Sequence, residues 1–250
     1  MIALLSPAKT LDYETPLPPL DLTEPRFAGE AATLARSAAR LPQKQLRELM
    51  GISPALAKLN HDRFAGFGDA PERPALHAFA GDVYHGLDAA TLDEAAVDYA
   101  GTHLRMLSGL YGLLRPLDRM RPYRLEMGTR WAPRHARLTD WWGDRIAAAL
   151  LEDLTAEGSA TVLNLASHEY WAAVEGRLPA TVRVIAADFR EGVDRRFISF
   201  NAKRARGAMA RWLIEHRVAE PEGMQAFDWE GYRFVGDESE PDRWRFVRRD

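Results

Sequence analysis

Three short apolar runs in this chain each break off into a cluster of polar side chains. Ile2–Leu5 leads into Ser6-Pro7-Ala8-Lys9-Thr10. Val162–Leu165, which carries Asn164, leads into Ser167-His168-Glu169-Tyr170, and Phe197–Phe200 leads into Asn201-Ala202-Lys203 and then Arg206. In α/β sheets, ligands bind just beyond the carboxyl ends of parallel strands, where loops and helix N-termini present N–H donors. Three polar strand exits build such a site if the strands are parallel neighbours. The plainer reading is that Ser167 and Asn201 cap helices, which suits their positions.

The rest of the chain fits the same class. Thr161–Leu165, Val182–Asp188 and Arg196–Phe200 read as strands, and Asp140–Asp153, His168–Glu175 and Ala202–Val218 as helices. Residues 12–25 hold four prolines and form an extended loop. Phe27, Ala31, Leu34, Ala35 and Ala38 recur at helical spacing up to Arg40. Two short helices follow at Pro42–Met50 and Pro54–Asn60, separated by Gly51-Ile52-Ser53, each with Pro suited to its first turn. Thr91-Leu92-Asp93-Glu94 reads as a capping box opening a helix to Ala100. The last 25 residues read as a terminal β-hairpin or meander at about 225–248. The expectation is one α/β (mixed α+β) domain over 1–250, a central curled mixed sheet flanked by helices, with a helical excursion near 41–60.

The net charge of −3 argues against indiscriminate coating of nucleic acid, but it hides strong local fields. Leu104–Arg145 holds nine Arg against four acids, Arg195–Arg217 seven basic residues against Glu215, and Val218–Asp250 five Arg against nine acids. The densest stretch, Leu104–Gly128, mixes five Arg with Tyr111, Tyr123, Asp118 and Glu126, and is broken by Gly109, Gly112, Pro116 and Pro122. Arg on irregular backbone is a good phosphate grip, because guanidinium is planar, always charged and bidentate. The competing reading is internal pairing, Arg115 with Asp118 and Arg124 with Glu126. Only four Lys stand beside 29 Arg, and two of them, Lys9 and Lys203, fall at the polar exits; the others are Lys44 and Lys58.

Cysteine is absent, which removes thiolate nucleophiles, thiol peroxidase chemistry, iron–sulfur clusters and cysteine-ligated zinc. The seven His are scattered without metal-ligand spacing, so no metal and no cofactor is expected. No apolar run is long enough to span a bilayer and no targeting segment is visible, so the expected location is the cytoplasm.

S-P-A-K-T at Ser6–Thr10 resembles the signature of the YaaA family of bacterial peroxide-stress proteins. The likeness continues through F-A-G-D-V-Y-H-G-L at Phe79–Leu87, L-R-M-L-S-G-L-Y-G-L-L-R-P-L-D at Leu104–Asp118, P-Y-R-L-E-M-G at Pro122–Gly128, and Trp142-Gly143. N-L-A-S-H-E-Y at Asn164–Tyr170 and I-S-F-N-A-K-R-A-R-G-A-M-A-R at Ile198–Arg211 complete it. The resemblance implies a cytoplasmic protein that limits oxidative damage under hydrogen peroxide and keeps unincorporated iron low. It also implies double-stranded DNA binding through a helix-hairpin-helix on an unusual α/β fold. The element would be Leu41–Asn60, packed by Leu46, Leu49, Met50, Ile52, Leu56 and Leu59, with Ser53 where the usual hairpin has a second glycine. Gly51 and Ser53 would aim backbone donors at a phosphate, flanked by Lys44, Arg47, Lys58, His61 and Arg63.

Two readings follow. The first is a non-catalytic, monomeric DNA-binding protein of low sequence preference, since no recognisable catalytic motif is present. The second is an enzyme gripping a small anionic substrate. Its cleft would draw on Lys9, Thr10, Arg105, Ser108, Tyr111, Arg115, Arg124, Asn164, Ser167, Lys203 and Arg206. Ser6, Lys9, Glu126, Glu169 or Lys203 would then serve as acid, base or nucleophile.

Overall fold

Ile2–Leu5 consists only of apolar side chains, and all four are wholly buried, as a strand covered on both faces requires. A computed structural model describes residues 1–249. Its strands are β1 (Ile2–Leu5), β2 (Thr10–Leu11), β3 (Arg73–Pro74), β4 (Phe79–Ala80), β5 (Leu104–Ser108), β6 (Gly112–Leu114), β7 (Arg119–Met120), β8 (Thr161–Asn164), β9 (Arg183–Glu191), β10 (Tyr232–Phe234) and β11 (Arg243–Arg248). Its α-helices are α1 (Ala28–Ala38), α2 (Gln43–Met50), α3 (Pro54–Ala65), α4 (Ala75–Ala78), α5 (Asp82–Leu87), α6 (Glu94–His103), α7 (Leu138–Trp142), α8 (Arg145–Glu157), α9 (His168–Trp171) and α10 (Ser199–Glu215).

Seven strands form one mixed sheet in the order β10-β11-β9-β8-β1-β5-β6. The five inner strands run parallel, and β6 and β10 close the edges antiparallel. From β1 the chain builds outward to β5 on one side, then returns to add β8, β9 and β11 on the other. The strand order therefore reverses between β1 and β8, and in open α/β sheets that crevice is where ligands bind. The terminal hairpin forms as expected, and β11 also joins β9 in parallel, so the tail belongs to the main sheet. Phe189, Phe227, Tyr232 and Phe246 meet edge-on or stacked beneath it.

α10 lies directly on α5. A Cβ on Gly207 would sit 1.7 Å from the Val83 carbonyl oxygen, and one on Gly86 would sit 2.0 Å from that of Arg204. The two helices touch backbone to backbone, which explains why α10 is so rich in Gly and Ala on its buried side.

Several sequence expectations are corrected. Arg196–Phe200 is not a strand. β9 runs on to Glu191, Gly192 and Arg195 turn the chain at positive φ, Arg196 bridges back to Glu191, and α10 begins at Ser199. Phe197, Ile198 and Phe200 are exposed, so the alternation that reads as a strand is a surface loop entering a helix. The third polar exit is thus the first turn of α10. Gly143 splits the expected 140–153 helix into α7 and α8, and α9 stops after one turn. α3 continues to Ala65. The cap of α6 is Asp93, whose carboxylate accepts the Ala96 N–H at 2.7 Å, and not Thr91. Pro42 occupies the cap position of α2 rather than its first turn.

Candidate functional site

The carboxyl ends of β1 and β8 are tied to each other by short polar side chains, and that of β5 is fixed by its own. The Ser167 N–H donates to the Ser6 hydroxyl at 2.8 Å, and that hydroxyl donates to the Ser167 hydroxyl at 3.2 Å, so the loops after β1 and β8 are latched across the switch point. Asn164 accepts the Ala166 N–H and fixes the turn leaving β8. Tyr84, carried in by α5, donates its phenol to the Ser6 carbonyl at 3.1 Å. At the end of β5, the buried Ser108 hydroxyl shares a 2.6 Å hydrogen bond with Tyr123 and accepts the Tyr111 N–H. Tyr111 in turn accepts the Arg121 N–H on its phenol oxygen.

Charged groups stand around this framework. Glu126 is shared by Arg124 at 3.0 Å and Lys9 at 3.8 Å. Glu169 accepts the Gly128 N–H at 3.1 Å, and a Cβ on Gly128 would press to 3.0 Å from that carboxylate. Lys203 on α10 stands 3.7 Å from Asp82 at the start of α5. Thr10 pairs with Ala80 through β2 and β4 and is exposed at the rim. One turn beyond Lys203, Arg206 is largely enclosed, with its Nε unpartnered among the described residues; burial draws its pKa down, and the charge of Asp188 opposes that.

Burial dominates the titration of the phenols here. It raises Tyr84, Tyr123 and Tyr170, and pushes Tyr111 up to about 12, so all four remain neutral hydrogen-bonding groups at physiological pH. Among the described residues the Ser6 hydroxyl bonds to the Ser167 N–H and hydroxyl. Neither is a base, so no hydrogen-bond partner of Ser6 among the described residues activates it as a nucleophile. The edge carries the cations Lys9, Arg124 and Lys203 interleaved with the carboxylates of Glu126 and Asp82.

Two predicted cleft residues lie elsewhere. Arg105 is buried against α8, its Nε 2.7 Å from Asp153, which also takes Arg26 at 2.6 Å. Burial alone would raise the Asp153 carboxyl, but the two guanidinium groups outweigh it and hold its pKa below the ordinary value. Arg115 clamps Asp118 at 2.9 Å and the Glu24 carbonyl at 2.7 Å, so the internal-pairing reading describes both it and Arg124. Tyr84, Asp82, Tyr123 and Tyr170 belong to the site although they were not among its predicted residues. All four lie inside the motif blocks, which was the available signal.

The segment that follows α3 meets this edge at the turn between β5 and β6. Phe67, just beyond α3, packs 6.3 Å from Tyr111, and Arg63 lies beside Tyr13, half-buried with its pKa lowered by that burial. Gly51 ends α2 in the left-handed region (φ 60°), which favours glycine, and Ser53 caps α3 by accepting the Leu56 N–H at 3.3 Å. Lys44 and Arg47 are exposed and make no ion pair among the described residues, whereas Lys58 is held 2.6 Å from Asp62. Leu46, Ala57, Asn60 and Phe64 are the buried residues of the two helices here, and Leu56 and Leu59 are 38% and 44% exposed. That corrects their expected place between the helices: Asn60, buried and donating to the Leu56 carbonyl, occupies the inward face.

A family model described as peroxide stress protein YaaA matches residues 1–238. A UPF0246 protein of Rhizorhabdus wittichii RW1 is 56% identical over 251 residues, covering 99% of each chain. UPF0246 proteins of Paracidovorax citrulli AAC00-1 and Bordetella petrii are 50% and 46% identical, each covering all of this chain and 99% and 100% of their own. The chain belongs to the YaaA family of peroxide stress proteins.

Proposed function

We propose that, within the family's role in peroxide stress, this protein is a cytoplasmic monomer that binds double-stranded DNA through backbone phosphates with little sequence preference. The observation that carries this reading is the exposed hairpin between α2 and α3. Pro54 has no N–H and Ser53 caps Leu56, so the donors left open at the start of α3 are the N–H groups of Ser53 and Ala55. On α2, which leads into the hairpin, Lys44 and Arg47 are exposed and make no ion pair among the described residues, and a helix N-terminus near positive charge suits a phosphate. From Arg36 to Arg63 six basic side chains face two carboxylates. Cations condensed on DNA leave when a protein neutralises the phosphates beneath them. Ferrous ions held there leave with them, which connects phosphate binding to less iron and less oxidative damage at the duplex. Fluorescence anisotropy with a labelled duplex of arbitrary sequence tests the reading. The expected affinity falls steeply with salt, and a flat salt response overturns it.

A second reading is favoured by one observation, the convergence of Lys9 and Arg124 on the single carboxylate of Glu126 beside the switch point. That leaves local positive charge where α/β sheets bind ligands, and it suits a small anionic or phosphate-bearing substrate. Calorimetric titration of inorganic phosphate and nucleoside monophosphates into wild type and Lys9→Gln distinguishes it: heat lost in the variant supports the site, and no heat in wild type sinks it.

A further inference from the structure

On the far side of Tyr84 from Ser6, the chain encloses a second cleft of about 800 Å³. This is the size range of sites for single small molecules. Its floor is apolar, built by Leu76, Phe79, Leu92, Val97 and Leu117. One wall is the proline-rich segment after β2, in which Pro16, Pro18 and Pro19 fix the backbone, so the wall is formed in advance of any ligand. Five carboxylates line the cleft. Asp12 is satisfied by the Glu14 and Thr15 N–H groups and by Arg73 at 3.7 Å. Asp88 pairs with Arg211 at 3.7 Å. The other three, Asp21, Glu94 and Asp98, are exposed at the rim and make no ion pair among the described residues. Glu94 and Asp98 are four residues apart on α6 and therefore share a face.

We infer that this cleft binds a small organic cation with an apolar body, its ammonium group at the Asp21, Glu94 and Asp98 rim and its hydrocarbon on the Leu76–Val97 floor. A carboxylate of the same shape would meet like charge at the rim, and a bare inorganic ion would leave the floor unfilled. The Tyr84 ring forms part of the wall while its phenol holds the Ser6 carbonyl, so an occupant lies one side chain from the switch point. This inference is independent of whether the hairpin binds DNA.

Saturation-transfer NMR and calorimetry on the full chain, with phenethylamine and 3-phenylpropionate as matched probes, test it. The amine is expected to bind at least tenfold more tightly than the carboxylate. Glu94→Gln with Asp98→Asn removes two rim charges on the surface and should weaken the amine roughly fivefold or more, with the melting temperature unchanged. Saturation transfer should reach the aromatic protons of the probe, consistent with its burial on the floor. Equal binding of the two probes, no binding of the amine, or amine binding that the double variant leaves intact would each overturn the assignment.

Discussion

If the hairpin grips phosphates, its cations should differ in what they contribute according to how each is already paired within the protein. Lys44 and Arg47 make no ion pair among the described residues, while Lys58 already sits 2.6 Å from Asp62. Each phosphate neutralised adds about 0.9 to the slope of log affinity against log salt. Replacing Lys44 and Arg47 together by Ala should therefore flatten that slope by about 1.8. Between 50 and 200 mM salt the gap between wild type and variant should then narrow roughly 12-fold. Lys58→Ala should change the slope by less than about 0.9, because its charge is partly satisfied within the protein. Asp62→Asn goes the other way: it releases Lys58 and should steepen the slope, tightening binding at low salt. The assay is anisotropy of a short labelled duplex across a salt series, with circular dichroism to confirm that the exposed substitutions leave the fold intact. Parallel salt lines for wild type and the Lys44/Arg47 variant would show that these side chains touch no phosphate. An Asp62→Asn variant that binds more weakly would refute the accounting behind the whole prediction.

Three further outcomes test the fold that carries the site. Gly207→Ala drives a methyl into the Val83 carbonyl and should cost at least ~2 kcal/mol in urea unfolding, where a loss under ~0.5 kcal/mol would mean α5 and α10 separate easily. Asp153→Asn leaves Arg105 buried without its anion and should cost roughly 3 kcal/mol at neutral pH. Because the folded pKa of Asp153 is depressed, its contribution is complete above the unfolded value of about 4 and disappears as pH falls through the lower folded value. The gap between wild type and Asp153→Asn should accordingly shrink in acid, and a gap that widens there would contradict the assignment. Ser6→Ala removes the acceptor of the Ser167 N–H and should cost about 1–3 kcal/mol, which unchanged thermal stability would exclude.

The parts of the fold legible in the sequence were those whose burial is uniform. Four apolar residues at Ile2–Leu5 have one outcome in a two-sided sheet, and the spacing Ala31, Leu34, Ala35, Ala38 has one buried helix face. Phe197-Ile198-Ser199-Phe200 misleads for the opposite reason. Its apolar residues are exposed, and the turn at Gly192 and Arg195 that lifts them to the surface is joined to Glu238, which grips Arg195 at 2.5 Å from 43 residues away. Leu56 and Leu59 mislead likewise, since the inward place belongs to Asn60, whose amide N–H donates to a main-chain carbonyl inside its own helix. Arg105 looked like a ligand group only because Asp153, 48 residues on, could not be foreseen as its partner.

The same accounting bears on what the switch-point residues do. A polar side chain serves a ligand only with hydrogen-bonding capacity that the protein has not already taken. Ser6, Ser108, Asn164 and Ser167 have much of theirs taken by neighbouring loops. Ser6 and Ser167 latch the β1 and β8 exits, and Asn164 and Ser108 fix the turns after β8 and β5, so substituting them should lower stability before it alters any specificity. Lys9 and Lys203 are different: each is half-exposed or more, and its nearest carboxylate is 3.7–3.8 Å away, too distant to satisfy an ammonium fully. An incoming phosphate offers them the shorter, charge-assisted contacts that Glu126 and Asp82 do not. The division predicts that Lys9→Gln and Lys203→Gln, assayed with the duplex and with inorganic phosphate, weaken anion binding with little change in melting temperature, while Ser6→Ala does the reverse. If Ser6→Ala instead abolished binding at full stability, the hydroxyl would have to act on the ligand directly, and the edge would be a reaction centre and not a grip.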